Sequence, residues 1–215
     1  MKKLLRAKKG ATLVELVVTF ALLAIFLTGV AVIFSACLGM YDTAKMKANA
    51  RSVTQTLLDK VSGEISGAQG GSGDTYTMTI QKHTGQNASG NVLPYEDSAC
   101  IAFCGKTNSQ VYIAVSSDKH LLIHYRPVTD RVQNWEAVDW TFDDAVYRNF
   151  IIDSLSFDVV SVNGRKTNII RVSLQITDPA SGFSMNAERY VECYNFSAAE
   201  VNKIIKEEIL TDSAA

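Results

Sequence analysis

Proline is scarce in this chain, and charge is missing from one long stretch of it. Three prolines stand among 215 residues, none of them between positions 12 and 66. That excludes collagen-like and Pro-rich architectures and leaves nothing to break a long helix near the N-terminus. Four cysteines are too few for a disulfide scaffold of this length. The formal net charge is −1, and beyond the first ten positions Lys and Arg form no extended stripe, so nothing supports a nucleic-acid binder. With 47% hydrophobic residues the composition is that of a folded chain rather than a disordered one. The length fits one domain, or one domain and an appendage.

What is present is sharply divided. Residues 1–10 carry five basic side chains and no acid. Residues 16–41 form a run of 26 with no charged side chain, rich in Leu, Val, Ile, Phe and Ala. At ~1.5 Å rise per residue, about 20 apolar residues span a hydrocarbon core, so the segment is long enough for a membrane helix. The basic flank sets the N-terminus in the cytoplasm and everything beyond about Tyr41 outside. Glu15 stands at the start of the run. A carboxylate there either snorkels into the headgroups or has a partner.

Lys8-Lys9-Gly10, then Ala11-Thr12-Leu13-Val14-Glu15-Leu16, then the apolar run resembles the leader and cleavage site of type IV pilins and type II secretion pseudopilins. The resemblance implies that a prepilin peptidase cuts between Gly10 and Ala11 and methylates the new N-terminal amine. It implies that Glu15, fifth in the mature chain, pairs with the amine of a neighbouring subunit. An α-amino group with a pKa of about 8 is positive at neutral pH, and an unpaired buried charge costs several kcal/mol, so such a pair would set the axial register. The partners implied are other pilin or pseudopilin subunits, the peptidase, the membrane, and an assembly platform with its motor. The location implied is a single-pass membrane protein that passes into an extracellular filament. Ala11 departs from the usual Phe, which bears on methylation rather than cleavage. The membrane helix also lacks the Pro that many pilins carry, and Gly29 weakens a helix by only about 1 kcal/mol relative to Ala. Losing residues 1–10 would take the formal charge from −1 to −6, making the exported chain less suited still to DNA. Phe34-Ser35-Ala36-Cys37 loosely resembles a lipoprotein signal, but the run is longer than an h-region of about 7–15 residues. Cys37 reads as a small apolar residue in the helix.

The helix is expected to continue past the membrane. Met46, Ala50, Val53, Leu57, Val61 and Ile65 recur at spacings of three and four, with Lys45, Lys47, Arg51, Gln55, Asp59 and Lys60 on other faces, an amphipathic period. A continuous helix over residues 12–66 would be on the order of 80 Å long. Ser66 to Asp74 is rich in turn formers and reads as the helix-to-sheet linker; it lacks the Lys-Ser/Thr ending of a phosphate loop. Period-two alternation follows at Tyr76, Met78, Ile80; at Val111, Ile113, Val115; at Leu121, Ile123, Tyr125; at Leu155, Phe157, Val159; and at Ile170, Val172, Leu174, Ile176. Asn163-Gly164 between the last two runs predicts a hairpin, and residues 184–196 predict another strand. Ser197-Ala198-Ala199-Glu200 has the form of a capping box, and Val201, Ile204, Ile205 and Ile209 follow at helix spacing. The expectation is a C-terminal helix over about 198–210.

Candidate chemistry is thin. Cys100, Cys104 and Cys193 allow one disulfide with one thiol left over, or three buried thiols, and sequence does not choose between them. Cys100-x-x-x-Cys104 is not the usual zinc spacing. His120 and His124 would share a strand face but find no third ligand at a recognisable spacing. Glu136, Asp139, Asp143 and Asp144 form an acidic cluster without the ligand order and Gly of a defined calcium loop. No cofactor and no metal are assigned, calcium being weakly supported. Trp135, Trp140 and Tyr147 suit a core more than a binding patch. No Gly-x-Ser-x-Gly elbow or paired catalytic carboxylates appear, and an enzyme is not expected.

The resulting expectation is an α+β, pilin-like fold. It comprises a leader (1–10), a transmembrane and assembly helix (11–41), its amphipathic continuation (42–66), and a β-rich extracytoplasmic domain (67–215) with antiparallel strands. The large β-rich part resembles minor subunits, J-type pseudopilins in particular, implying a subunit that initiates or caps a filament. The alternatives are a competence pseudopilus subunit for DNA uptake and a lipid-anchored or single-pass surface binding protein.

Overall fold

The structure, a computed structural model, describes residues 12–70, 77–83, 99–107, 109–127, 138–196 and 205–210. Of the features read from sequence, the leader, Ala11, residues 71–74 of the Gly-rich linker, Tyr76, Trp135, Glu136, the Ser197–Glu200 capping box, Val201 and Ile204 lie outside the described residues. The chain divides into two compact units, residues 1–48 and 49–215.

The first element is α1, Leu13–Ser66, 54 residues without a break. No Pro interrupts it, and Gly29 and Gly39 have open space around them, so the ladder runs through both. In the first unit its residues from Thr12 to Lys45 are all exposed. In the second unit its buried face is Ala50, Val53, Thr54, Leu57, Leu58, Val61 and Ile65, the stripe that the three–four spacing predicts. Thr54 is tolerated there because its hydroxyl donates to the Ala50 carbonyl at 2.9 Å, so its own polar group has a partner.

Two sheets make up the second unit. One has six strands in the order β5-β4-β3-β2-β1-β9 and the other three, β6-β7-β8. In chain order β1 is Met78–His83, β2 Cys100–Cys104, β3 Ser109–Val115, β4 Leu121–Pro127 and β5 Val138–Thr141. A single-turn helix α2, Asp144–Tyr147, follows, and then β6 Ile151–Val162, β7 Arg165–Thr177, β8 Ser184–Glu192 and β9 Ile205–Leu210. The arrangement is α+β, a long N-terminal helix followed by mainly antiparallel strands, as the sequence predicts and consistent with a pilin fold. The alternation is realised as burial: Met78, Ile80, Ile113, Ile123, Phe157, Ile170 and Val172 are all at most 1% exposed. Asn163 and Gly164 both take positive φ, 51° and 76°, the two-residue turn whose twist matches a hairpin. β6 is tied to the six-stranded sheet at its margins, where Ala99 N–H donates to Leu155 O at 2.8 Å and Ile152 N–H to Lys119 O at 2.9 Å.

The C-terminal segment corrects the sequence reading. Where a helix was expected over 198–210, residues 205–210 form β9, paired in parallel with β1 from Met78↔Ile205 to His83↔Leu210. Ile205 is buried at 2% exposure. Ile205 and Ile209, four apart, fit either period, and the open edge of β1 offers backbone partners that a surface helix would leave unused. The helix-to-sheet linker also starts packed: a Cβ at Gly70 would meet the Asn195 carbonyl at 2.8 Å. Next to it Gln69 N–H donates to Cys104 O at 2.7 Å and Asn195 Nδ2 to Ala68 O at 2.9 Å.

Burying a Leu or Ile side chain contributes about 1.5–3 kcal/mol, so the stripe on α1 is the main apolar seam between helix and sheets. Leu57→Ala, at a side chain 1% exposed, is expected to destabilise the second unit by about 2–5 kcal/mol. Gln55→Ala, on the exposed face, should stay within about 0.5 kcal/mol. Denaturant unfolding of the detergent-solubilised full chain, followed by tryptophan fluorescence, measures both.

Candidate processing and assembly segment

A helix that is apolar all round and touches nothing is a poor structure in water. The first part of α1 is such a helix: an 18-residue window has mean hydropathy 2.8 and none of it is buried. Phe20, Leu22, Ile25, Phe26, Val32 and Ile33 are each more than 60% exposed. Lipid, or the equivalent helices of other chains, supplies the missing apolar surroundings. The hydroxyls within the run are compatible with that, since Thr19 donates to Leu16 O at 2.8 Å and Thr28 to Ala24 O at 2.8 Å.

Glu15 lies in the first turn of this helix. The sequence reading missed what surrounds it. Thr12 precedes the helix, its hydroxyl oxygen accepts from Glu15 N–H at 3.3 Å, and its carbonyl accepts from Leu16 N–H at 3.1 Å. Thr12 is therefore the N-cap of α1. The signal was present, since Thr12-Leu13-Val14-Glu15 has the Thr-x-x-Glu form of a capping box. Gly10 and Ala11 lie just ahead, outside the described residues. Cys37 sits inside the unbroken helix, exposed with the rest.

The other candidates of the sequence are absorbed by local structure. The acids do not converge: among the described residues no group of three or more His, Cys, Asp or Glu side chains is placed to hold a metal. Asp139 on β5 meets His124 Nδ1 on β4 at 2.6 Å, Asp143 caps α2 by accepting from Ala145 N–H at 2.9 Å, and Asp144 lies 3.5 Å from His120. His120 precedes β4 and His124 lies within it; His120 stacks on the Tyr147 ring with centroids 4.0 Å apart. Tyr147 is buried, and its hydroxyl accepts from Leu121 N–H at 2.7 Å. Trp140 sits under the Lys60 ammonium, 4.3 Å from Nζ to the ring centroid. Lys60 also donates to Glu64 at 2.7 Å, and Tyr125 donates to the same carboxylate at 2.8 Å. Burial lowers the Lys60 pKa, and the bonds to Glu64 and Tyr125 outweigh it and leave it above the usual lysine value. This group fastens α1 to β4 and β5.

Cys100, Cys104 and Cys193 are buried thiols, so the disulfide that the sequence allowed is not formed. Cys100 and Cys104 stand at the two ends of β2, a separation of about 13 Å along a strand, whereas a disulfide needs Cα atoms within about 7 Å. The Cys193 sulfur is turned to the Ile65 carbonyl, 3.8 Å away.

With the geometry in hand, comparison with known proteins adds one finding. The family model for the prokaryotic N-terminal methylation motif matches residues 5–31, which takes in part of the basic leader, Gly10, Ala11, Thr12, Glu15 and the first half of the apolar run. No curated protein and no solved structure matches the chain. The motif supports a pilin- or pseudopilin-like subunit anchored by its N-terminal helix, a structural role rather than an enzymatic one.

Burial pushes the Cys100 and Cys193 thiols up from 9.0 to about 12, so at pH 8 only about one in 10⁴ would be thiolate. Iodoacetamide at pH 8 is expected to leave both unmodified in the native chain and to label them after unfolding, as read by peptide mass spectrometry. The unfolded thiols ionise near pH 9 and the folded ones do not, so stability should fall as pH rises from about 9 towards 12. A Cys100→Ala, Cys193→Ala chain should lose part of that alkaline dependence.

Proposed function

We propose that this chain is a minor pilin or pseudopilin, a structural subunit that helps initiate or cap a type IV pilus or type II secretion-type pseudopilus. The observation that carries the reading is the first part of α1. It is apolar on every side, exposed along its length, preceded by a basic leader within a match to the N-terminal methylation motif, and it carries a single acid in its first turn. The remaining unit, with strands in two sheets, is the part that would face outward and meet partners. Its size favours a minor subunit.

In this reading the leader keeps residues 1–10 in the cytoplasm and the ectodomain outside. The peptidase cuts between Gly10 and Ala11, and the freed amine, positive at neutral pH, enters the helix bundle of a growing filament. Glu15 of the neighbour neutralises it and fixes the axial register, because either charge alone in that bundle would cost several kcal/mol. The apolar faces of α1 provide the lateral packing. An assembly platform and its motor draw the subunit from the bilayer into the filament.

N-terminal mass spectrometry of the chain from native membranes should find a mature protein that begins at Ala11, with or without a methyl group. An intact Met1, or a lipid on Cys37, would sink the reading. Glu15→Ala should lower recovery in sheared filaments by roughly tenfold or more while membrane insertion and the ectodomain's protease resistance stay unchanged. Quantitative mass spectrometry of those filaments should place the chain at a few copies per filament; bulk abundance would overturn the minor role.

A further inference from the structure

We propose that Lys45 and Lys47 bind the headgroup phosphates of anionic phospholipids in the outer leaflet, and so fix the depth at which α1 sits before it enters a filament. The inference rests on the reading of α1 as a membrane-spanning helix with its N-terminus in the cytoplasm, and it names the lipid chemistry met at the outer surface.

Lengths along the helix place the two side chains. The uncharged run, residues 16–41, has its midpoint between Thr28 and Gly29. A hydrocarbon core of about 30 Å covers about ten residues on either side of that point, and the headgroups extend the bilayer to about 14 residues on either side. Tyr41 and Asp42 then stand among the outer headgroups. Tyr41 is 64% exposed, at the level where tyrosine rings gather in membrane proteins. The Cα atoms of Lys45 and Lys47 come about 25 and 28 Å from the midplane. Helical side chains lean towards the helix N-terminus, which here is towards the bilayer. A lysine stem of about 6 Å laid back in that direction brings each ammonium among the headgroups, about 19–22 Å from the midplane. Arg51, one turn further along α1, starts about 6 Å further out and does not reach them.

The chain leaves both cations available. Lys45 and Lys47 are exposed, and among the described residues no ion pair engages either of them or Asp42. Lys60, further along the same helix, is by contrast held by Glu64 at 2.7 Å. Asp42 offsets only one of the two positive charges, so the segment attracts phosphate. Two positions apart, the lysines stand about 200° apart around the helix, so each meets a separate lipid and the helix is braced on both flanks. Five basic residues in the leader outnumber them, and the orientation is kept.

The test uses the full-length chain in phosphatidylcholine vesicles doped with a spin-labelled phospholipid, whose electron spin resonance reports which headgroup gathers at the protein. The wild type should select labelled phosphatidylglycerol over labelled phosphatidylcholine. A lysine at the surface is worth about fivefold, so the Lys45→Gln, Lys47→Gln chain should lose that much of the selectivity or more. Lys45→Arg, Lys47→Arg and, separately, Arg51→Gln should stay within about twofold of wild type, and about 1 M salt should erase the difference between chains. Undiminished selectivity in the double Gln chain would overturn the proposal; a fall in its filament recovery would then assign the lysines to the acids of a neighbouring subunit. An Arg51→Gln loss as large as that of the double Gln chain would also overturn it, because net charge rather than depth would govern. A wild type that alkaline carbonate strips from the vesicles would overturn the membrane reading together with the proposal, whereas a wild type that stays in the bilayer without selecting a headgroup would overturn the proposal alone.

Discussion

The stripe of side chains from Ala50 to Ile65 on α1 is the contact on which the second unit depends. Both sheets bury alternating apolar residues, and the buried stripe of α1 needs the same apolar cover. Around that apolar seam the polar contacts act as pegs: Lys60 and Glu64 reach Tyr125 and Trp140 on one side, and Asp59 meets Arg189 on the other. The pegs are partly exposed, and such pairs contribute little each. Their use is geometric, since they fix the rotation of the helix about its axis and so decide which of its faces is covered.

The same helix meets a different solvent at its other end. There no side chain from Thr12 to Lys45 is covered by the chain itself, and the polar groups that remain are met locally, Thr19 and Thr28 by carbonyls of their own helix and the Glu15 N–H by Thr12. One secondary-structure element thus carries an incomplete apolar surface at one end and a completed one at the other. The incomplete end is where assembly chemistry belongs, because the association of many such helices covers what no single chain can.

Much of this was legible in the residues. The long helix follows from three–four spacing and the absence of Pro, and five strands from plain alternation. Asn163-Gly164 marked its hairpin because few other dipeptides accept two positive φ angles in a row. The failures have physical causes. β2, Cys100–Cys104, is buried on both faces apart from Ala102, so it has no alternation to read. β9 was taken for a helix because Ile205 and Ile209 fit a helical period as well as an extended one; the pairing with β1, more than 120 positions earlier, is a non-local fact that no local pattern contains. For the site, Glu15 and its neighbours are readable from spacing, whereas the Thr-x-x-Glu signature of the cap at Thr12 overlaps the louder cleavage motif. His120, His124, Asp139, Asp143 and Asp144 each have a neighbour in the fold, a set of local contacts that spacing in the sequence does not contain.

The parallel pairing of β9 with β1 bears on the order in which the protein can take shape. β1 comes soon after the helix, and β9 lies within the last dozen residues. The edge of the six-stranded sheet therefore stays open until β9 reaches β1, and contacts of such long sequence separation form slowly. During folding the hairpins β3–β4, β6–β7 and β7–β8 can close early, each from neighbouring sequence, while β1 waits with an unpaired edge. An unpaired edge is an invitation to other strands. For this chain the hazardous interval is the late stage of folding, and its length is set by how quickly β9 finds β1.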